Sequence, residues 1–193
     1  YSFSSDESRL LLTTNTESIY RHSFYADYHI HTVKTGETQP LTDFSLGQQR
    51  LAAFSPAADK VAFVRDNDMY IADLKAGVEI RVTSDGEVNH IINGATDWVY
   101  EEEFGEDNGM QWSPDGKNLA FYRFDESAVR DFSMPVYGDL YPNPYVFKYP
   151  KAGEVNSTVS IHVHRLQDGK RIDVAIPRTE YIPRIKWSSD PNL

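Results

Sequence analysis

The chain has 193 residues, 40% of them hydrophobic and 25% charged, a balance that suits a folded core rather than a disordered or fibrous chain. Its net charge of -10, with the basic residues scattered, argues against a nucleic-acid partner and for a cationic or amine-bearing one. The absence of cysteine excludes disulfides, thiolate zinc sites and a Cys nucleophile, and no apolar run reaches the roughly 18 to 20 residues of a membrane span.

The opening stretch, YSFSSDESRLLL, lacks the basic start and apolar run of a signal peptide. From Phe3 it reads FSSDESRLLL, a turn followed by a strand, and the same pattern returns as FSPAADKVAF from Phe54 and WSPDGKNLAF from Trp112. A truncated fourth copy, WSSDPNL, starts at Trp187. Each copy begins aromatic-Ser, and in the three complete ones apolar residues fall six and eight positions after the Ser: Leu10 and Leu12, Val61 and Phe63, Leu119 and Phe121. That is the period of two expected of a strand entered through a turn.

After each copy comes a second shared pattern, YHIHTVKTG, MYIADLKAG or IHVHRLQDG, ending at Gly36, Gly77 and Gly169. The glycine is predicted to end a strand in a hairpin turn, where a positive φ costs it nothing, and a further β-rich run such as EIRVT or RIDVAI follows. Each unit is thus predicted to hold about four antiparallel strands. Four short strands at a period of 50 or more residues are the signature of β-propeller blades. The expected fold class is all-β: a partial β-propeller of about three four-stranded antiparallel blades, roughly 1–50, 51–110 and 111–185, with the start of a next blade at 186–193. Because closing a ring takes about four to eight blades, the chain is expected to be a fragment of a larger propeller.

Spacing between the landmarks locates three insertions. From the glycine to the next aromatic-Ser serine the gaps are 19 (Gly36 to Ser55), 36 (Gly77 to Ser113) and 19 (Gly169 to Ser188), so the middle connection is longer and contains DWVYEEEF. From each serine to its glycine the gaps are 32, 22 and 56, which puts extra residues around TESIYRHSF in the first blade and around SMPVYGDLYPNPYVFKYPKAGEVNST in the third. In repeat folds such insertions usually carry function rather than stability.

The run Glu101, Glu102, Glu103 admits two readings. One is a solvated acidic turn. The other starts from the flanking Trp98, Val99, Tyr100 and Phe104, which suit an amphipathic helical turn on which consecutive glutamates diverge by about 100°, so that two share a side. Neighbouring carboxylates gain most when a cation sits between them: a metal ion, a partner's arginine or a free amino group. No Asp-x-Asp-x-Asp-Gly loop supplies the oxygens calcium wants, whereas a peptide ammonium, with a pKa of about 8, fits well.

The stretches NGATDWVYEEEF, MQWSPDGKNLAFYRFDES, YPKAGEVNSTV and IYRHSF resemble the N-terminal β-propeller of the dipeptidyl peptidase IV family, among the prolyl oligopeptidase-type serine peptidases, and the resemblance covers nearly the whole chain. It implies an eight-bladed propeller over a C-terminal α/β-hydrolase domain that is absent here, in an enzyme that removes Xaa-Pro or Xaa-Ala dipeptides from peptide N-termini. It also implies that Glu102 and Glu103 bind the substrate ammonium, and that Arg21 contacts the backbone carbonyl of the penultimate substrate residue and helps position the glutamates. Glu101 is expected to face solvent or cap the turn. The expected partners are peptides with a free N-terminus, the hydrolase domain, and a second copy through the 125–158 insertion, with a bacterial periplasm or cell surface as the compartment.

No G-x-S-x-G motif occurs in the chain, so no catalytic residue is assigned here, and no cofactor or metal is expected. His29 with His31, and His162 with His164, have strand spacing and project from one face of their strands. With no third ligand nearby they read as outer-face blade histidines, and Asn156-Ser157-Thr158 is a glycosylation sequon by pattern only. Two alternatives stay open: a tripeptidyl relative with similar glutamates, and a propeller that only binds proteins.

Overall fold

A computed structural model describes residues 1–189; part of the expected start of a next blade therefore lies outside the described residues. The first sheet runs β1 (Ser2–Phe3), β2 (Arg9–Ser18), β3 (Phe24–Thr32) and β4 (Thr38–Pro40), and the second β5 (Arg50–Phe54), β6 (Lys60–Arg65), β7 (Asp68–Asp73) and β8 (Val78–Arg81). Then come β9 (Ile91–Asn93), helix α1 (Trp98–Phe104), β10 (Met110–Trp112), β11 (Asn118–Asp125), β12 (Asp131–Val136), β13 (Asn143–Lys148), β14 (Thr158–Arg165) and β15 (Lys170–Asp173). The first two sheets keep chain order with antiparallel neighbours, the third is ordered β10-β11-β14-β15 with β9 also on β11, and β12 pairs β13 in a separate hairpin. This is the all-β partial propeller expected from the repeat. Among the described residues no helix is long and apolar enough to cross a membrane.

The serine of the repeat closes the turn between the first two strands of each sheet. Its hydroxyl accepts from the amide five residues on, at 3.0 Å for Ser4 and Arg9, 3.1 Å for Ser55 and Lys60, and 2.9 Å for Ser113 and Asn118. All three serines are buried, so the hydrogen bond replaces water that the turn has excluded. The aromatic residue before it reaches back to the preceding sheet. The Trp112 indole donates to the Ala53 carbonyl at 3.2 Å, and the Trp187 indole to the equivalent Gln111 carbonyl at 2.9 Å. Gly36, Gly77 and Gly169, with φ near +70°, take the same turn before the fourth strand.

Alternation along β6 divides the core. Val61 and Phe63 pack with Leu11, Ala26, Tyr28 and Ile30 of the first sheet, while Ala62 and Val64 pack with Leu119, Phe121 and Phe124 of the third. The second sheet is thus buried on both faces, each large apolar side chain contributing about 1.5–3 kcal/mol. In the first sheet the alternation is displaced from expectation. Leu11 is fully buried, while Leu10 and Leu12 are half-buried, because they share with His31 and His29 the face turned away from the second sheet. His162 and His164 depart from the outer-face reading. They sit opposite Phe121 and Leu119 and are buried, and burial holds their imidazoles below the usual range.

Each insertion leaves its sheet at a different place. The first lengthens the β2–β3 hairpin past its flanking strands, and the third is the β12–β13 arm between β11 and β14. The second interrupts an edge strand: β9 and β10 both pair with β11, and residues 94–109 leave and return between them. Two glycines close that neck on one residue. Gly94 donates to the Tyr122 carbonyl, and the Tyr122 amide donates to the Gly109 carbonyl, both at 2.9 Å. A Cβ on Gly109 would stand 2.8 Å from the Ala95 oxygen and 2.9 Å from the Gly94 carbonyl carbon. Gly109→Ala should therefore cost about 1–3 kcal/mol of stability in denaturant unfolding; an unchanged midpoint would show that the neck is not closed this way.

Candidate functional site

Helix α1 is only seven residues long and is held at both ends. Asp97 caps it, accepting from the Tyr100 amide at 3.0 Å, and its other oxygen accepts from the Ser157 hydroxyl at 2.6 Å. Burial pushes the Asp97 carboxyl above the ordinary carboxylate range, against the pull of these hydrogen bonds. Gly105, in the left-handed region, ends the helix. Tyr100 anchors it in the core, with ring contacts to Phe104, Tyr122 and Phe124, and its hydroxyl accepts from the Ile182 amide at 2.7 Å. Trp98 stands edge-on to Tyr149, centroids 4.4 Å apart.

With Tyr100 fixed inward, the three glutamates fan out. Glu101 is fully buried, and a single oxygen, Oε1, accepts from the amides of His22 and Ser23, both at 2.8 Å. The expectation that Glu101 faces solvent or caps the turn is therefore corrected. The helix turns its side chain onto the tip of the β2–β3 hairpin, where two donors meet it. Glu102 comes next: Oε1 accepts from the Arg21 amide at 3.2 Å, and Oε2 lies 3.1 Å from the Arg21 Nε. Glu103 is exposed and has no hydrogen bond or ion pair among the described residues. The structure thus brings Arg21 and Glu102 together and leaves Glu103 one step further round the helix.

Magnitudes separate the two interactions. The Arg21 side chain is 73% exposed, and a solvated ion pair of that kind is worth about 0–1 kcal/mol. Two hydrogen bonds to a buried carboxylate are worth about 1.5–3 kcal/mol each, offset in part by its desolvation. It is Glu101, not the ion pair, that ties the hairpin tip to the helix. Sequence reasoning missed it because three identical residues in a row carry no sign of which one turns inward.

All three insertions line one cavity of about 670 Å³: Arg21 from the first, Trp98 and Glu102 from the second, and Phe132, Phe147, Tyr149 and Lys151 from the third. Its lining mixes charged and aromatic side chains. Such a space suits a ligand with a polar head and an apolar body.

The model of the dipeptidyl peptidase IV (DPP IV) N-terminal region matches residues 4–193. The chain belongs to that family. It is 37% identical over 200 residues to dipeptidyl peptidase 4 of Trichophyton rubrum and 35% identical over 200 residues to that of Trichophyton tonsurans, each match covering 98% of this chain and 25% of the relative. The crystal structure of Porphyromonas gingivalis dipeptidyl peptidase 4 superimposes with a TM-score of 0.89 at 48% identity, over 95% of this chain and 26% of that one. The chain spans about a quarter of the length of the dipeptidyl peptidase IV relatives it matches.

Removing the Glu101 carboxylate should free the hairpin tip. Glu101→Ala should speed amide exchange at His22 and Ser23 at least about tenfold and cost about 1–3 kcal/mol in unfolding, since the buried Ser23 amide and the half-buried His22 amide lose their acceptor. Native-state hydrogen exchange reads both amides, and unchanged protection would remove Glu101 from that role.

Proposed function

We propose that this chain is the substrate-gating and N-terminus-recognising part of a dipeptidyl peptidase IV-like serine exopeptidase that removes Xaa-Pro or Xaa-Ala dipeptides from peptide N-termini. Glu102 and Glu103 receive the substrate ammonium, and Arg21 takes a backbone carbonyl. The observation that carries this reading is the Arg21–Glu102 pair on the wall of a cavity lined by all three insertions. Charge supports it: Arg21, Glu102 and Glu103 together hold one net negative charge, the complement of one ammonium. Arg21 uses only its Nε and backbone amide toward Glu102, so the outer guanidinium nitrogens are available to a carbonyl.

An exopeptidase must count from the chain end, and the ammonium is the feature an internal peptide bond lacks. A site built around a charged partner rejects a substrate without it, by up to about 10⁴ when the site is dry. The nucleophile belongs to an α/β-hydrolase domain elsewhere on the parent chain, because no G-x-S-x-G lies in these 193 residues. The β12–β13 arm, with Tyr137, Leu140 and Tyr141 largely exposed, is the surface for a second copy. A bacterial periplasm or cell surface suits an enzyme acting on peptides with free N-termini.

In the full-length parent, Glu102→Gln or Glu103→Gln should lower kcat/KM for free-amine dipeptidyl anilides by at least about 10²-fold, and Arg21→Lys should also impair turnover because an ammonium lacks the planar fork. Steady-state kinetics decide this. Wild-type values in either glutamine variant would take that residue out of the site.

A further inference from the structure

Glu101 spends one oxygen on the hairpin tip, and its other oxygen, Oε2, is buried without a hydrogen-bond partner. The Ser23 hydroxyl, on a residue whose amide already donates to Glu101, is in the same condition. Two further unpartnered groups belong to Arg50, whose Nε and Nη2 are both buried. Arg50 opens β5 and is 4% exposed. Its neighbour Gln49 exchanges backbone hydrogen bonds of 2.9 and 2.8 Å with Ala26, three residues after Ser23, so the chain delivers Arg50 beneath the hairpin tip.

A buried guanidinium without acceptors is costly, and a buried carboxylate oxygen without donors equally so. Here the two groups are opposite in charge and close enough to interact electrostatically. Burial lowers the proton affinity of Arg50, while the negative charges around it, Glu101 among them, act in the opposite direction. One internal water could meet all four, accepting from Arg50 Nε and Nη2 and donating to Glu101 Oε2 and the Ser23 hydroxyl oxygen.

We propose that Arg50 is a positioning residue for the Arg21–Glu102 site: its guanidinium is the counter-charge of Glu101, joined to Glu101 Oε2 and the Ser23 hydroxyl through a bridging water, and it fixes the carboxylate that holds the hairpin tip. Arg50 does not touch substrate. It acts through Glu101, and Glu101 through the amides that set where Arg21 meets Glu102. The kinetic part rests on the reading of Glu102 and Glu103 as an ammonium site; the structural part does not.

The test uses the full-length parent, with Arg50→Met and Arg50→Lys alone and Arg50→Met combined with Glu101→Gln. Arg50→Met should speed amide exchange at His22 and Ser23 at least about tenfold while Ala62 and Ile71, in the second sheet, keep their protection. It should raise KM for a free-amine dipeptidyl anilide about tenfold with kcat within about twofold, and add little to Glu101→Gln, because residues acting as one unit are not additive. Arg50→Lys should recover part of the loss. Unchanged exchange at His22 and Ser23, or fully additive effects in the double variant, would overturn the proposal. If Arg50→Met fails to fold, Arg50→Lys and Arg50→Gln are read by the same two amides. If the wild-type parent releases no dipeptide, the ammonium reading fails, and the exchange result still decides the role of Arg50.

Discussion

One buried carboxylate holds two of the insertions of this molecule together. Glu101 accepts two backbone amides from residues 78 and 79 positions earlier in the chain. It thereby joins two insertions that belong to different sheets. Its two charge-assisted bonds, at about 1.5–3 kcal/mol each, are set against several kcal/mol of desolvation, so the net gain in stability is small. What the contact supplies is position. A guanidinium that is mostly in water and a carboxylate that is mostly buried meet at 3.1 Å because the backbone beneath the first has been fixed.

The scaffold makes this possible by building the insertions out from a repeat that is already well packed. The second sheet is covered on both faces, the Trp112 indole staples the third sheet to the second, and the Trp187 indole ties the segment that follows to the third, while the second insertion adds Tyr100 to the same core. The insertions leave through narrow exits, as where Gly94 and Gly109 close on Tyr122. They then converge on one cavity. A loop with so short a neck is held by its base and its own contacts, which lets a seven-residue helix stay in place with Asp97 and Gly105 at its ends.

The fold was legible because its signals are local and repeated. An aromatic-Ser pair followed by alternating apolar residues describes a turn closed by the serine hydroxyl, and the glycine after the third strand marks a backbone conformation that most residues avoid. The insertions were legible as departures from that repeat. The orientation of the glutamates was not. Which of three identical neighbours turns inward depends on Tyr100 being locked by Tyr122 and Phe124, partners over 20 residues away, and on the arrival of His22 and Ser23 from another sheet. The burial of His162 and His164, against the half-exposure of His29 and His31, depends likewise on whether a neighbouring sheet covers that face.

The most direct measurement is a crystal structure of the full-length parent with a free-amine dipeptide product bound. The expected result places the ammonium nitrogen within hydrogen-bond distance of both Glu102 and Glu103, the Arg21 guanidinium on the adjoining carbonyl, and Glu101 still buried against His22 and Ser23. An ammonium bound elsewhere, or a Glu101 side chain turned out to solvent with the hairpin tip detached, would contradict the central claim.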